Sequence, residues 1–299
     1  MPAWRPSSTG SAASFSSSPE AGARRVGRDG FLHLDFERRA ARTVLVGRRF
    51  TLPLQALEPV DLDGSGGATL MLLNPTGGLL GGDVLDTRVS LGPGARVCLT
   101  TPSAARAYRC PGPPAVQRFL AEVGEGAALE YLPEHLIPSP GARLRQSVEI
   151  VLASGATALI LDAWAVGRAA RGEAWRFDEV DTALVIRDPR GLVLSERSIL
   201  GPARSWDGLG GAEGAAYVAT FTAAAPGREE WGDLGAELAA ALEEGGTDLR
   251  WGVTRLVRGG LLVRLLCPSA PSLYRCMHTL WARCRHRLLG LPPLALRKL

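Results

Sequence analysis

Three short segments of this chain begin alike. LGPGARVCLTTP starts at Leu91, VGEGAALEYLPE at Val123 and LASGATALILDA at Leu152. Each carries an apolar residue, a two-residue gap, a Gly-Ala pair and then an alternating strand. The pairs fall at 94–95, 126–127 and 155–156, a period of roughly thirty residues. Glycine suits a tight turn between strands. Its recurrence at similar spacing implies strand–turn–strand units stacked on one another, each covering its neighbour's apolar face. Three ordinary hairpins of a sandwich would show the same residues.

The rest of the chain supports a β reading. FLHLDFERR sets Leu32, Leu34 and Phe36 against Phe31, His33 and Asp35, and RTVLVGRRF and ATLMLLN continue in strand style. Asp188-Pro189-Arg190-Gly191 is a turn between two more alternating runs. After Pro226 the period changes to that of a helix. Trp231, Leu234, Leu238 and Leu242 share a face, and Gly245 can cap the end. Strands follow at RWGVTRLV and LLVRLLC. A last helix carries the stripe Leu273, Met277, Leu280, Trp281, Cys284 and Leu288, with Arg275, Arg283 and Arg285 leaving its other side basic and accessible. The expected fold is mainly β, with stacked strand–turn–strand units in a helicoid or sandwich-like arrangement. Its helices are expected at about 229–244 and 271–289. Residues 1–29 read as a disordered low-complexity tail. Residues 30–299 read as one domain, β-rich over 30–226 and helix–strand–strand–helix over 227–299.

Charge and cysteine content narrow the class. The formal net charge is only +4, from 34 basic and 30 acidic residues, and the one dense basic run surrounds Arg283, Arg285 and Arg287. Nucleic-acid binding wants a concentrated basic face with stacking aromatics, so no nucleic acid is expected. Five cysteines make no paired framework. No apolar run reaches the ~18 residues of a membrane span, and the N-terminus lacks the apolar core of a secretory signal. A reduced, cytoplasmic protein is expected, with no membrane association.

The segment LLNPTGGLLGGDVLD, residues 72–86, packs four glycines among leucines. It is no phosphate cradle. A P-loop ends in Gly-Lys-Ser/Thr, whereas Gly81-Gly82 is followed by Asp83, whose carboxylate repels phosphate, and no helix follows. His33, His135, His278 and His286 sit in no nucleophile–base signature, so no enzyme is expected. In CMHTLWARCRH, Cys276 and Cys284 lie near the apolar stripe. His278 and His286 lie about 200° away, so the four cannot converge on one ion. LEYLPEHLI brings Glu130, Glu134 and His135 together, a donor set that suits borderline divalent ions such as Ni²⁺.

Together, FERRAARTVLVGRR, LLNPTGGLLGGDVLD, GPGARVCLTTPSAARAYR, LEYLPEHLI and GLLVRLLCPSAPSLYRCMHTLWARCRHRLLG resemble, in order and over about residues 31–290, the urease accessory family UreD, also called UreH. The resemblance implies a non-catalytic scaffold for nickel insertion into apo-urease. It would act with UreF and the nickel-carrying GTPase UreG, and would bind nickel transiently along an internal path. It also implies a largely β helicoid with two helices. On this reading Asp83, Glu130, Glu134, His135 and Asp162 are candidates for the nickel path, while Asp83 could equally cap a turn. Where the family usually has Leu-Pro-Gln-Glu-Thr, this chain has Leu132-Pro133-Glu134-His135-Leu136, which puts the detail of any metal contact there in doubt. The alternative is a non-catalytic stacked-β binding module without a nickel role. A hydrolase on a β scaffold lacks a candidate triad.

Overall fold

A computed structural model describes residues 28–201, 206–208, 210–245 and 248–296. The expected tail lies outside the described residues up to 27. Arg28 already belongs to the fold, its guanidinium donating to Gly81 O.

In chain order the strands begin with β1 (Asp29–Arg39), β2 (Arg42–Thr51), β3 (Gln55–Ala56), β4 (Ala68–Leu73), β5 (Val84–Leu91) and β6 (Arg96–Thr100). They continue with β7 (Ala105–Ala107), β8 (Ala115–Val123), β9 (Ala128–Leu132), β10 (Leu136–Pro138), β11 (Arg143–Leu152) and β12 (Thr157–Ala165). Then come β13 (Glu179–Asp188), β14 (Gly191–Leu200), β15 (Tyr217–Ala224), helix α1 (Trp231–Glu243), β16 (Arg250–Leu256), β17 (Gly260–Cys267) and helix α2 (Ala270–Cys284). A seven-stranded sheet has the order β14-β13-β11-β8-β5-β1-β2. A ten-stranded sheet has the order β16-β17-β15-β12-β9-β6-β4-β3, with β7 and β10 off this path.

The sequence repeat is the device that builds both sheets. Each Gly-Ala turn carries the chain from one sheet to the other: β5 to β6, β8 to β9, β11 to β12. The strands on each side then pair in parallel, Arg96 opposite Ala128 and Ala128 opposite Thr157. Gly94, Gly126 and Gly155 are separated by those same offsets. Stacked coils are therefore the observed arrangement, not independent hairpins. The three glycines have φ of +66°, +60° and +66°, a region closed to most side chains. Gly94 N–H donates to Glu125 O and Gly126 N–H to Ser154 O, tying each turn to the next. Ala95, Ala127 and Ala156, at most 1% exposed, fill the space behind the turns.

Strand alternation sorts residues between two cores. Leu32, Leu34, Phe36, Leu129, Ala158 and Ile160 face the space between the sheets. Leu159, Ala163, Phe221 and Val263 face outward from the larger sheet and are covered by α1 and α2. That sheet is buried on both faces, which is why its strands read as nearly continuous apolar runs. Helix α1 buries Trp231, Leu234, Leu238 and Leu242, as the spacing predicts. Helix α2 starts under a Ser269 cap that accepts from Ser272 N. It ends at Cys284, short of the expected Leu289, and a wider π turn spans Arg285–Leu289 before Gly290 stops it at φ +65°. Arg285 is not on the accessible basic side expected for it. It is 3% exposed, because it turns inward to two carboxylates described below.

Candidate functional site

The space between the sheets holds a cavity of about 540 Å³ at the β14/β16 end. Two polar rows face each other there. On the smaller sheet Gln117, Gln146, Thr182 and Ser198 stand side by side across four strands. On the larger sheet Asp162, Thr220 and Arg264 do the same. Two contacts bridge the gap. Gln146 Nε2 donates to Asp162 Oδ1 at 3.3 Å, and Arg264 donates from Nη2 and Nε to Glu196 Oε1 at 2.9 and 3.1 Å. The other oxygen, Glu196 Oε2, is buried with no hydrogen-bond partner among the described residues. Burial, reinforced by the Glu196 charge and opposed by the Gln146 hydrogen bond, pushes the Asp162 carboxyl up to about 6. Trp164, Trp175 and Trp206 wall the cavity, and Arg250 and Glu213 also line it, paired at 2.7 Å. Such a slot, lined by three carboxylates of which two are paired with arginines, can hold a small hydrated cation weakly by outer-sphere hydrogen bonds or by one or two carboxylate oxygens.

The other expected path residues lie elsewhere. Glu130 is on the opposite face of the larger sheet from Asp162, since β9 and β12 pair Glu130 with Leu159 and Leu129 with Ala158. It is buried beneath α2, where it accepts from Trp281 Nε1 and from Arg285 Nε at 3.1 Å. Arg285 Nη2 reaches Asp63 at 2.8 Å and Nη1 reaches Pro292 O at 2.8 Å. Burial raises the Glu130 carboxyl above its ordinary range against the pull of Arg285. Glu134 and His135 follow the end of β9, so the strand parity that would align Glu134 with Glu130 stops at Leu132. Both meet Tyr274 of α2. Its hydroxyl hydrogen-bonds Glu134 Oε2 at 2.5 Å and His135 Nδ1 at 3.2 Å. A cavity of about 220 Å³ lies beside them.

Asp83 caps a turn. Its Oδ2 accepts from Leu80 N at 2.8 Å, and Arg28 lies 3.9 Å from Oδ1. The glycine pairs beside it divide their work. Gly77 and Gly82 have φ of +76° and +82°. At Gly78 a side chain would strike Arg106 O and the Tyr108 ring, and at Gly81 the Cys110 sulfur. One glycine of each pair serves conformation and the other close approach.

Thus Glu134 and His135 come together, while Asp83, Glu130 and Asp162 each stand apart. Among the described residues no group of three or more His, Cys, Asp or Glu forms a metal cage. Cys98, Cys110, Cys267, Cys276 and Cys284 are all buried, whereas His278 and His286 are exposed. Sequence reasoning missed Glu196 and Arg264. The signal was present, for each is the lone charge on the inward parity of its strand, Glu196 beside Leu194, Ser198 and Leu200, and Arg264 beside Leu262 and Leu266. No helix among the described residues is long and apolar enough to cross a membrane.

Comparison with known proteins agrees with this architecture. Residues 28–298 match the family model described as UreD urease accessory protein. A protein of Alkalilimnicola ehrlichii, named urease accessory protein UreD, is 35% identical over 281 residues, 92% of each chain. Proteins of the same name from Cupriavidus metallidurans and Haloarcula marismortui are each 32% identical. They cover 89% and 94% of this chain and 92% and 94% of their own lengths.

Proposed function

The chain belongs to the UreD family of urease accessory proteins, and from that premise we propose that it is a non-catalytic scaffold for nickel insertion. It acts with UreF and the GTPase UreG on apo-urease, in the cytoplasm. The observation that carries this reading is the polar slot between the sheets. The slot opens to solvent where Arg264 is 64% exposed, so its polar rows are hydrated or occupied, and among the described residues the buried Glu196 Oε2 has no hydrogen-bond partner. Nickel is cargo, so weak carboxylate contact suits it better than a closed cage, which would hold the ion against delivery. Asp162 and Glu196 are the contacts proposed for it. Glu130, Glu134, His135 and Asp83 are engaged in holding α2 and a turn in place, and we assign them support of the path's walls.

The test is co-expression of Asp162→Asn with Glu196→Gln alongside urease, UreF and UreG. The complex should still co-purify while urease nickel content falls several-fold. Undiminished nickel with an intact complex would remove the slot as the route and favour a purely docking role. Purified alone, the protein should hydrolyse neither urea nor GTP, because the sequence carries no P-loop lysine and no nucleophile–base signature. Turnover abolished by a single substitution would overturn the scaffold reading.

A further inference from the structure

Helix α2 buries Leu273, Cys276, Met277, Leu280, Trp281 and Cys284, and Tyr274, Arg275 and His278 of the helix and His286 and Arg287 of the π turn after it face outward. Its cations are not equivalent. Arg283 and Arg287 are both paired with Glu237 of α1, at 3.1 and 3.5 Å. Arg275 has no ion-pair partner among the described residues and stands beside Tyr274. Below Tyr274 and His278 opens the 220 Å³ cavity, whose remaining walls are largely apolar: Leu161, Ala163, Met277 and Leu296. The volume fits one leucine or phenylalanine side chain. Glu134 is the acid of this wall, and it is buried against the Tyr274 hydroxyl. Tyr274 itself is 44% exposed, so its ring offers an apolar rim.

We propose that this α2 face docks an acidic segment of a partner protein, which seats one apolar side chain in the cavity beneath Tyr274 and His278. An apolar anchor entering a preformed hole supplies most of the affinity. Arg275, together with Arg283 and Arg287 sharing the single carboxylate of Glu237, leaves this face net positive, which selects an acidic flank and speeds encounter. The surface lies on the other side of the larger sheet from the slot, so it stands whether or not nickel passes there.

Deleting α2 would be uninformative, since it strips one face of the larger sheet. The test uses the full chain and a fluorescent peptide of glutamates around a central phenylalanine, against the same peptide with lysines replacing the glutamates. The acidic peptide should bind, and its affinity should fall about tenfold or more on adding salt. Arg275→Glu with His278→Glu should weaken it about tenfold, as expected for loss of steering and rim contacts. Ala163→Leu, which fills the hole, should erase the advantage of phenylalanine over alanine in the peptide. Equal binding of the basic peptide, or binding unmoved by both variants, would overturn the proposal. So would self-association lost in the same variants, which would give the face to a second copy of the chain.

Discussion

At Asp162 the fold keeps a carboxylate where ionisation is disfavoured. Its pKa rises from 3.8 to about 6, chiefly through burial. Between those values the folded chain holds a proton that the unfolded chain has lost. The stabilisation is therefore complete below about pH 4 and disappears as pH rises to about 6, a loss on the order of 2–3 kcal/mol. Asp162→Asn should be more stable than the parent at pH 7.5, with the gap closing towards pH 4 in urea titrations. A gap independent of pH would contradict the account. Glu130 behaves differently because it has partners. Glu130→Ala would leave the buried Arg285 with Asp63 as its remaining carboxylate and the Trp281 N–H without its acceptor. The expected cost is about 3 kcal/mol or more in chemical denaturation. A loss below about 1 kcal/mol would show that water replaces the carboxylate.

Among elements, the turns were the most legible part of the sequence. The Gly-Ala period pointed to the stacking, because one residue must enter the left-handed region and the next must be small. Three hairpins would have shown the same residues, and the register came only with the strand pairing. The two helices were legible from their stripes, and the end of α2 was not, because Arg285 reads as a surface cation until its distant partners Glu130 and Asp63 are known. Asp162 could be named as a candidate from its strand. Its separation from Glu130 could not, since a sheet buried on both faces shows little alternation to say which side is which. The glycine pairs allow a direct contrast. Gly126→Ala meets open space but needs φ +60°, so it should cost about 1 kcal/mol. Gly81→Ala drives a methyl into the Cys110 sulfur and should cost more, with Cys110→Ala recovering part of the loss. Additive effects of the Gly81 and Cys110 changes in thermal melts would refute the contact.

At the scale of the whole molecule, the larger sheet is shared by both cores, with Ala158 and Leu159 of one strand facing opposite ways. Neither core can open without stripping the other's floor. Arg258, after β16, adds a tie by donating to Asp188 and to the carbonyls of Arg190 and Leu192, across to the smaller sheet. Unfolding should thus be a single transition, with far-ultraviolet circular dichroism and tryptophan emission giving one midpoint. Two separated midpoints would mean that the helical layer melts by itself.

The slot between the sheets also carries its own optical probe. Three of the chain's seven tryptophans, Trp164, Trp175 and Trp206, line it, while Trp231, Trp251 and Trp281 pack in the helical core. A paramagnetic ion such as Ni²⁺ lodged beside Asp162 would quench emission from the three indoles nearest it more than from the three beneath the helices. Passage of cargo could then be followed in real time in the isolated chain, by light alone and with no urease in the cuvette.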